Sequence, residues 1–154
     1  MAFFLTGKDT VTITQGSASR TLADYPNANI AVVNLPNDSS NTLVGKDGNG
    51  IIAFSAEGGM GEIDLRILTG SSDDKYMNAI LASYINNPTG FVVLSGTFVK
   101  TLGDGLGNLT RKTYSFSGGV IAKLPDSVYN ISGDTEQAIS GYKIRFIKTT
   151  INFN

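Results

Sequence analysis

The 154-residue chain contains no histidine and no cysteine, and these absences exclude whole classes of chemistry. Histidine is the only side chain whose ordinary pKa lies between pH 5 and 8, so the chain has no Ser-His or Cys-His nucleophile pair. Without cysteine it has no thiolate and no disulfide, and zinc sites are built largely from the same two residue types. We therefore expect a structural protein, with no catalytic site, no bound metal and no cofactor.

The chain also lacks a charge excess and a long apolar run. Its 12 basic and 13 acidic residues give a net charge of −1, whereas domains that seek nucleic acid usually carry a strong basic excess. No run approaches the ~18 apolar residues that a membrane-spanning helix requires, and the first residues lack the basic segment of a secretory signal. A low net charge weakens repulsion between copies and favours self-association.

Eighteen glycines separate a series of short runs with the period of two that is typical of β-strands. In residues 62–68, isoleucine or leucine alternates with charged residues, which predicts a strand with one buried face and one face in water. Further strands are predicted at 10–15, 29–35, 51–57, 91–100, 109–117, 119–124 and 139–148. Asp-Gly pairs predict tight turns at 46–50 and 103–108.

One segment, from Asp73 to about Asn86, has the helical period instead. Ser71 or Ser72 can cap it, and acidic residues in its first turn favour the helix dipole. Its apolar stripe consists of Met77, Ile80, Leu81 and Tyr84. Many short strands with one helix predict a mainly β fold, a β-sandwich or barrel with one flanking α-helix at about 73–86, in a single domain spanning 1–154.

Two segments are unusual for a domain that works alone. Residues 34–50 are polar and rich in turn residues, and connections longer than roughly 12–15 residues are uncommon and usually functional or mobile. Residues 2–5 and 151–154 are apolar or β-prone, where chain ends are usually polar and frayed. Apolar ends need cover, which a neighbouring subunit can supply.

Two other functions remain open at this point. Glu57, Glu62 and Asp64 cluster around a glycine-rich stretch and have the residue types of a glycosidase carboxylate pair. However, Glu62 and Asp64 lie on the polar face of an alternating strand, where charges are expected anyway, so a solvated face is the favoured interpretation. Six tyrosines and eight phenylalanines leave a carbohydrate-binding β-sandwich as the alternative function.

Six segments, in this order, resemble the tail tube (inner tube) proteins of contractile-tailed bacteriophages, a family akin to the type VI secretion tube protein. They are GKDGNGI at 45–51, IDLRILxGSxDDK at 63–75, GFVVLxGxFVK at 90–100, GDGxGN at 103–108, YxFSGGV at 114–120 and GDTEQA at 133–138. No single segment is distinctive, and the resemblance depends on their order over most of the chain.

The resemblance implies a structural virion protein: a β-barrel-like subunit that forms hexameric rings, which stack by self-assembly into a conduit for DNA ejection. The implied partners are copies of the chain itself, the tail sheath protein, and baseplate and tail terminator proteins. DNA would be met only in transit, and no membrane is involved. The implied location is the viral tail, assembled in the cytoplasm of the host bacterium.

The resemblance also assigns contact residues. The extended loop at about 34–50 would reach the adjacent ring, and its expected contact residues are Asn37, Asp38, Lys46, Asp47 and Asn49. Terminal arms would cross neighbouring subunits, and their expected contact residues are Phe3, Phe4, Leu5, Ile151 and Phe153. Because Lys and Arg neutralise phosphate and would hold DNA in place, we expect basic residues to avoid the lumen or to pair with acids there.

Overall fold

The computed structural model describes residues 4–25, 30–126 and 139–154, with the side chains of 124–126 excepted. The strands are β1 (Phe4–Leu5), β2 (Thr10–Gln15), β3 (Ala18–Thr21), β4 (Ala31–Asn34), β5 (Ser40–Val44), β6 (Gly50–Phe54), β7 (Gly61–Leu68), β8 (Leu94–Gly103), β9 (Leu109–Asp126) and β10 (Ile139–Phe153). The helix α1 spans Ser72–Asn86, and short 3-10 helices occupy Ala56–Gly59 and Pro88–Gly90. Within the described ranges no helix has both the length and the apolar character that a bilayer crossing requires.

Eight of the strands form one antiparallel sheet. Its order is β3-β2-β8-β9-β10-β7-β4, with β1 paired to the far end of β8. β5 and β6 form a separate two-stranded sheet. The predicted mainly β fold with one flanking helix is confirmed, and the sheet is open because β3 and β4 have no pairing with each other in the described residues.

The core lies between the sheet and α1. Val11 and Ile13 of β2 are buried while Thr10 is exposed, so alternate residues enter the core, as the period of two predicts. The same alternation fills the core from β7 and β10, and α1 adds its apolar stripe. The buried apolar residues are Val11, Ile13, Leu22, Ile63, Leu65, Ile67, Met77, Ile80, Leu81, Leu94, Phe116, Ile121, Tyr142, Ile144 and Phe146.

Several element boundaries differ from the predicted ones. The predicted strands 109–117 and 119–124 are one strand, β9, which continues through a bulge opposite β8 at Leu94 and Gly96. Gly118 in the bulge has φ +68, a conformation that other residues rarely adopt. β10 continues to Phe153 instead of ending at Lys148. β3 was not predicted, because it has no alternating apolar residues.

The segment predicted as a loop at 34–50 is only partly a loop. It contains β5 at its centre, and its last residue begins β6, so these residues build much of a β-hairpin. The Asp-Gly turn is where it was predicted, with Gly48 at φ +89. Ser40–Val44 contains three polar residues in succession, which hides the strand in the sequence.

Asp73 ties the start of α1 to the segment that follows β3. Its side chain is 1% exposed and accepts hydrogen bonds from the Arg20 Nε–H (2.7 Å) and from the amides of Ala23 (2.6 Å) and Asp24 (2.7 Å). In return, Asp24 Oδ2 accepts the amide of Asp73 at 3.2 Å. This network holds Leu22 in the core. The sequence predicts only a dipole role for Asp73, since its partners lie about 50 residues away.

These contacts set the pKa of Asp73. Burial disfavours the charged carboxylate, but the Asp24 and Ala23 amides and the Arg20 guanidinium outweigh it and hold the pKa below its ordinary value. Because the folded-state pKa is lowered, the stabilisation is present above the unfolded-state pKa near 4. It is lost as the pH falls through the folded-state pKa.

We expect Asp73→Asn to lower the free energy of unfolding at pH 7 by about 2–3 kcal/mol, because the amide oxygen can replace Oδ2 but the NH₂ would then face the Arg20 Nε–H, and the ion pair with Arg20 is lost. The difference from the natural chain should shrink as the pH falls below about 4. Urea unfolding followed by circular dichroism at several pH values measures both effects. Asp38→Asn, at an exposed carboxylate, is the control. An Asp73→Asn deficit that stays constant with pH would contradict the assignment.

Candidate assembly surfaces

The β5–β6 hairpin is exposed and apolar on both faces. Val44, Ile52 and Phe54 lie on one face, and Leu43 and Ile51 lie on the other, as the pairing register dictates. All five side chains are exposed, and Phe54 is 89% exposed. Two-stranded hairpins are marginally stable on their own in water. We call these five side chains the hairpin surface. Their exposure shows that nothing in the described part of the chain covers them.

The hairpin turn is polar and closed by hydrogen bonds. Asp47 accepts hydrogen bonds from the Asn49 amide (3.1 Å) and the Asn49 side-chain NH₂ (2.9 Å). The side-chain hydrogen bond from Asn49 is the main cause that lowers the pKa of Asp47. The Gly45 amide donates to the Asn49 carbonyl at 2.6 Å and closes the turn. Lys46, Asp47 and Asn49, three of the predicted loop contacts, thus lie together at the tip.

An apolar groove of about 580 Å³ lies beside the bulge of β9. Val93, Val120, Phe146 and Ile147 line it, and Ile147 is 76% exposed. Ile147 also packs over Gly118, where an added Cβ would lie 3.3 Å from the Ile147 Cβ. Because Phe146 is buried, the next residue, Ile147, points outward by the alternation of β10 and lies over Gly118 at the groove.

The root of the hairpin borders this groove. Asn37 lines the groove from the segment before β5, and Ala56, Glu57 and Met60 line it from the segment after β6. Gly58 keeps the two segments close, since a Cβ there would lie 2.4 Å from the Ser39 Cα. Asn37, a predicted contact residue, is thus on the groove, and Asp38 is exposed beside it.

The predicted arm residues lie in the main sheet. Phe4 and Leu5 form β1 on β8, and Ile151 and Phe153 pair with Tyr114 and Lys112 of β9. Their backbones are thus held by the chain itself, while all four side chains are exposed. Phe3 lies outside the described residues.

An aromatic strip continues from these residues towards the core. Phe98 and Tyr114 meet edge to face at 5.9 Å, and Tyr114 stacks with Phe116 at 6.2 Å. The Lys112 ammonium lies 5.1 Å from the Tyr114 ring and 5.6 Å from the Phe153 ring, within cation-π range. We call Phe98, Tyr114 and Phe153, together with the aliphatic Ile151 beside them, the aromatic strip.

The carboxylates considered for glycoside hydrolysis are engaged elsewhere. Glu62 accepts a hydrogen bond from Arg145 Nε at 2.8 Å, and Lys143 lies 3.8 Å from both Glu62 and Asp64. These ion pairs cross from β7 to β10 on the outward face of the sheet. Glu57 lies in a 3-10 helix and lines the groove, which Arg145, the partner of Glu62, also lines. Among the described residues, no three acidic, histidine or cysteine side chains cluster as metal ligands would.

Sequence reasoning named Ile151 and Phe153 of the aromatic strip, but it missed the apolar residues of the hairpin surface and the groove. In the loop it selected polar residues, whereas the five apolar residues of the hairpin surface and Ile147 are each at least 64% exposed. A run such as Ile51, Ile52 and Phe54 predicts a strand, but the same run is expected in a core strand, so the sequence alone does not show that these side chains are exposed.

No family model matches the chain, and no curated protein is significantly similar to it.

We expect Phe54→Asp to weaken self-association by roughly ten- to hundredfold, because burial of one large aromatic side chain contributes about 1.5–3 kcal/mol. Sedimentation velocity over a concentration series measures the change. The fold should be intact, since Phe54 contributes little to the core, and an unchanged far-ultraviolet spectrum checks this. Ser83→Asp, at an exposed position of α1, adds the same charge and is the matched control. Equal association of both variants would contradict a role for the hairpin surface.

Proposed function

We propose that the chain is a structural subunit of the inner tail tube of a contractile-tailed bacteriophage, in which identical copies form stacked hexameric rings around a conduit for DNA. The observation that carries the proposal is the hairpin surface: five apolar side chains, exposed on both faces of one hairpin. Monomeric soluble proteins rarely expose contiguous apolar patches of this kind without a partner. The ordered resemblance along the sequence supplies the family.

The energetics favour many equivalent contacts over one strong contact. Full burial of the hairpin surface would contribute about 1.5–3 kcal/mol for each side chain. Association costs an estimated 4–15 kcal/mol in lost translational and rotational freedom. These totals are of the same size, so a single hairpin contact is marginal. Rings and stacks multiply the contacts of each copy, and a subunit held at several places dissociates far more slowly.

The apolar groove is the natural receptor for the hairpin surface of another copy. A hairpin in its own groove would have to fold back over its root, which Gly58 holds against Ser39. Contact between two different surfaces of identical copies is heterologous, so it propagates until it closes into a ring or continues as a tube. In a two-fold dimer the two copies would cover each other's surfaces, so no further copy could be added.

The sheet edges offer lateral contacts within a ring. β10 pairs with β7 up to Phe146, and from there to Phe153 it pairs only with β9 in the described part of the chain. β3 forms the opposite edge, next to β2. Exposed strand edges present unpaired N–H and C=O groups that accept a strand from another chain. The aromatic strip beside the β10 edge would gain cover from the same contact.

The first test is assembly of the purified chain. We expect concentrated protein to form rings or tubes of uniform width in negative-stain electron micrographs, because copies can cover one another's apolar surfaces. Phe54→Asp should give neither, and Ser83→Asp should behave like the natural chain. A strict monomer at high concentration, with and without a preformed tube end as seed, would contradict the proposal.

A mixing experiment tests the heterologous contact. Ile147→Asp keeps the hairpin surface and damages the groove, whereas Phe54→Asp does the reverse. We expect neither variant alone to form the contact between hairpin and groove. An equimolar mixture at high protein concentration, where this marginal contact is populated, should form complexes that cannot extend, since each complex has only one functional contact. Sedimentation velocity of the separate and mixed variants measures this. Long tubes from the mixture, or no complex at all, would contradict pairing between hairpin and groove.

A further inference from the structure

The outward face of five neighbouring strands is covered with hydroxyl side chains. The pairing register places Thr21, Thr12, Thr97, Ser115 and Thr150 in one continuous row across β3, β2, β8, β9 and β10. We call this row and the outward residues on either side of it the hydroxyl face. Its side chains alternate with core residues such as Val11 and Ile13, so they point away from the core.

The neighbouring rows have the same chemistry. Thr14 lies opposite Ser19 and Ser95 on one side, and Thr10 lies opposite Val99 on the other. Some hydroxyls bind each other across strands: Thr12 to Thr21 at 3.0 Å and Thr14 to Ser19 at 2.9 Å. Hydroxyl groups at an exposed face keep their remaining hydrogen bonds with water, so this surface needs no cover.

The hydroxyl face contrasts with the surfaces that do need cover. The hairpin surface, the groove and the aromatic strip present large apolar side chains, whereas in the described residues of these rows Val99 is the one aliphatic side chain. Interface cores are enriched in aromatic residues, methionine and arginine, while serine is depleted. When copies associate through their apolar surfaces, the hydroxyl face is therefore the part of the sheet that gains least from burial.

We infer that the hydroxyl face stays in water in the assembled protein and forms the wall of the conduit, facing the passing polynucleotide. This inference rests on the proposed function, and it states which of the two faces of the sheet lines the conduit. The other face carries the core, α1 and, beyond the helix, the aromatic strip, so its uncovered part is apolar and gains more from burial than from facing water.

The chemistry of this face suits a polyanion in transit. Nucleic acid is retained by Lys and Arg, which release counterions from phosphate, and by aromatic rings, which stack on bases. In the described residues of the three central rows, the side chains are hydroxyl groups, with Val99, Asn152 and Lys148 as exceptions. Lys148 lies at the β10 end of its row, opposite Ser117, and Arg111 lies in the next row out, opposite Thr101.

The outward strip of the sheet beside the hydroxyl face should also bind phosphate weakly, although it carries charged residues instead of hydroxyl groups. Lys143 and Arg145 of β10 lie there, and Glu62 and Asp64 of β7 are their ion-pair partners. A cation that is already paired with a carboxylate is a weaker phosphate ligand, because binding phosphate must break or share the pair. The outward surface next to the hydroxyl face is thus charged but compensated at these positions.

Cysteine labelling of assembled tubes tests the inference. The chain has no cysteine, so Ser115→Cys introduces a single thiol at an exposed position of the hydroxyl face. Tubes of this variant are treated with a small maleimide and, separately, with a maleimide on a dextran too large to enter the tube. We expect the small reagent to react at nearly the rate seen with unassembled protein, and the dextran reagent at least tenfold more slowly.

The controls and contrary outcomes separate the two proposals. Unassembled Ser115→Cys should react with both reagents, and Ser83→Cys on α1 provides a thiol outside the hydroxyl face. Tubes in which Ser115→Cys reacts with neither reagent would place this face in a contact, and reaction with both would place it outside, so either result overturns the inference and leaves the tube intact. If the natural chain forms no tubes at all, the proposed function fails, and the inference fails with it.

Discussion

The structure is governed by a mismatch of size between its one helix and its sheet. α1 has 15 residues and is about 22 Å long, whereas the 18 residues of β9 extend for about 60 Å. One helix therefore covers only part of one face of the sheet. The covered part becomes the core, and the remaining sheet must be polar, or must find cover from elsewhere. The hydroxyl face represents the first solution, and the aromatic strip and groove require the second.

The position of the helix was predictable because local signals determine it. Its apolar period, a serine cap and two acidic residues in the first turn placed its ends within one residue of Ser72 and Asn86. The alternating strands and both Asp-Gly turns were predictable for the same reason. β3 and β5 were hidden because their residues are mostly polar, and the single strand β9 was hidden because a glycine with positive φ at Gly118 resembles a break.

The candidate surfaces were predictable only in part, because exposure depends on distant residues. The sequence indicated that residues 34–50 and the apolar ends had unusual roles, but it pointed to polar residues such as Asp47. Whether Phe54 or Ile147 is exposed depends on which distant elements pack beside them, and neighbouring residues do not reveal this. Asp73 presents the same problem in the core, since its partners Arg20 and Ala23 lie in a different element.

A conduit for nucleic acid gains from an assembly held by apolar contacts. If copies were joined mainly by exposed lysines and arginines, the polyanion in transit would compete for those cations, and tube strength would change with salt. Apolar burial has neither weakness, because phosphate does not compete for Phe54 or Ile147. The near-zero net charge is consistent with this arrangement. In the proposed tube, apolar side chains carry the association, so the wall can consist of hydroxyl groups, which stay hydrated and hold phosphate only weakly.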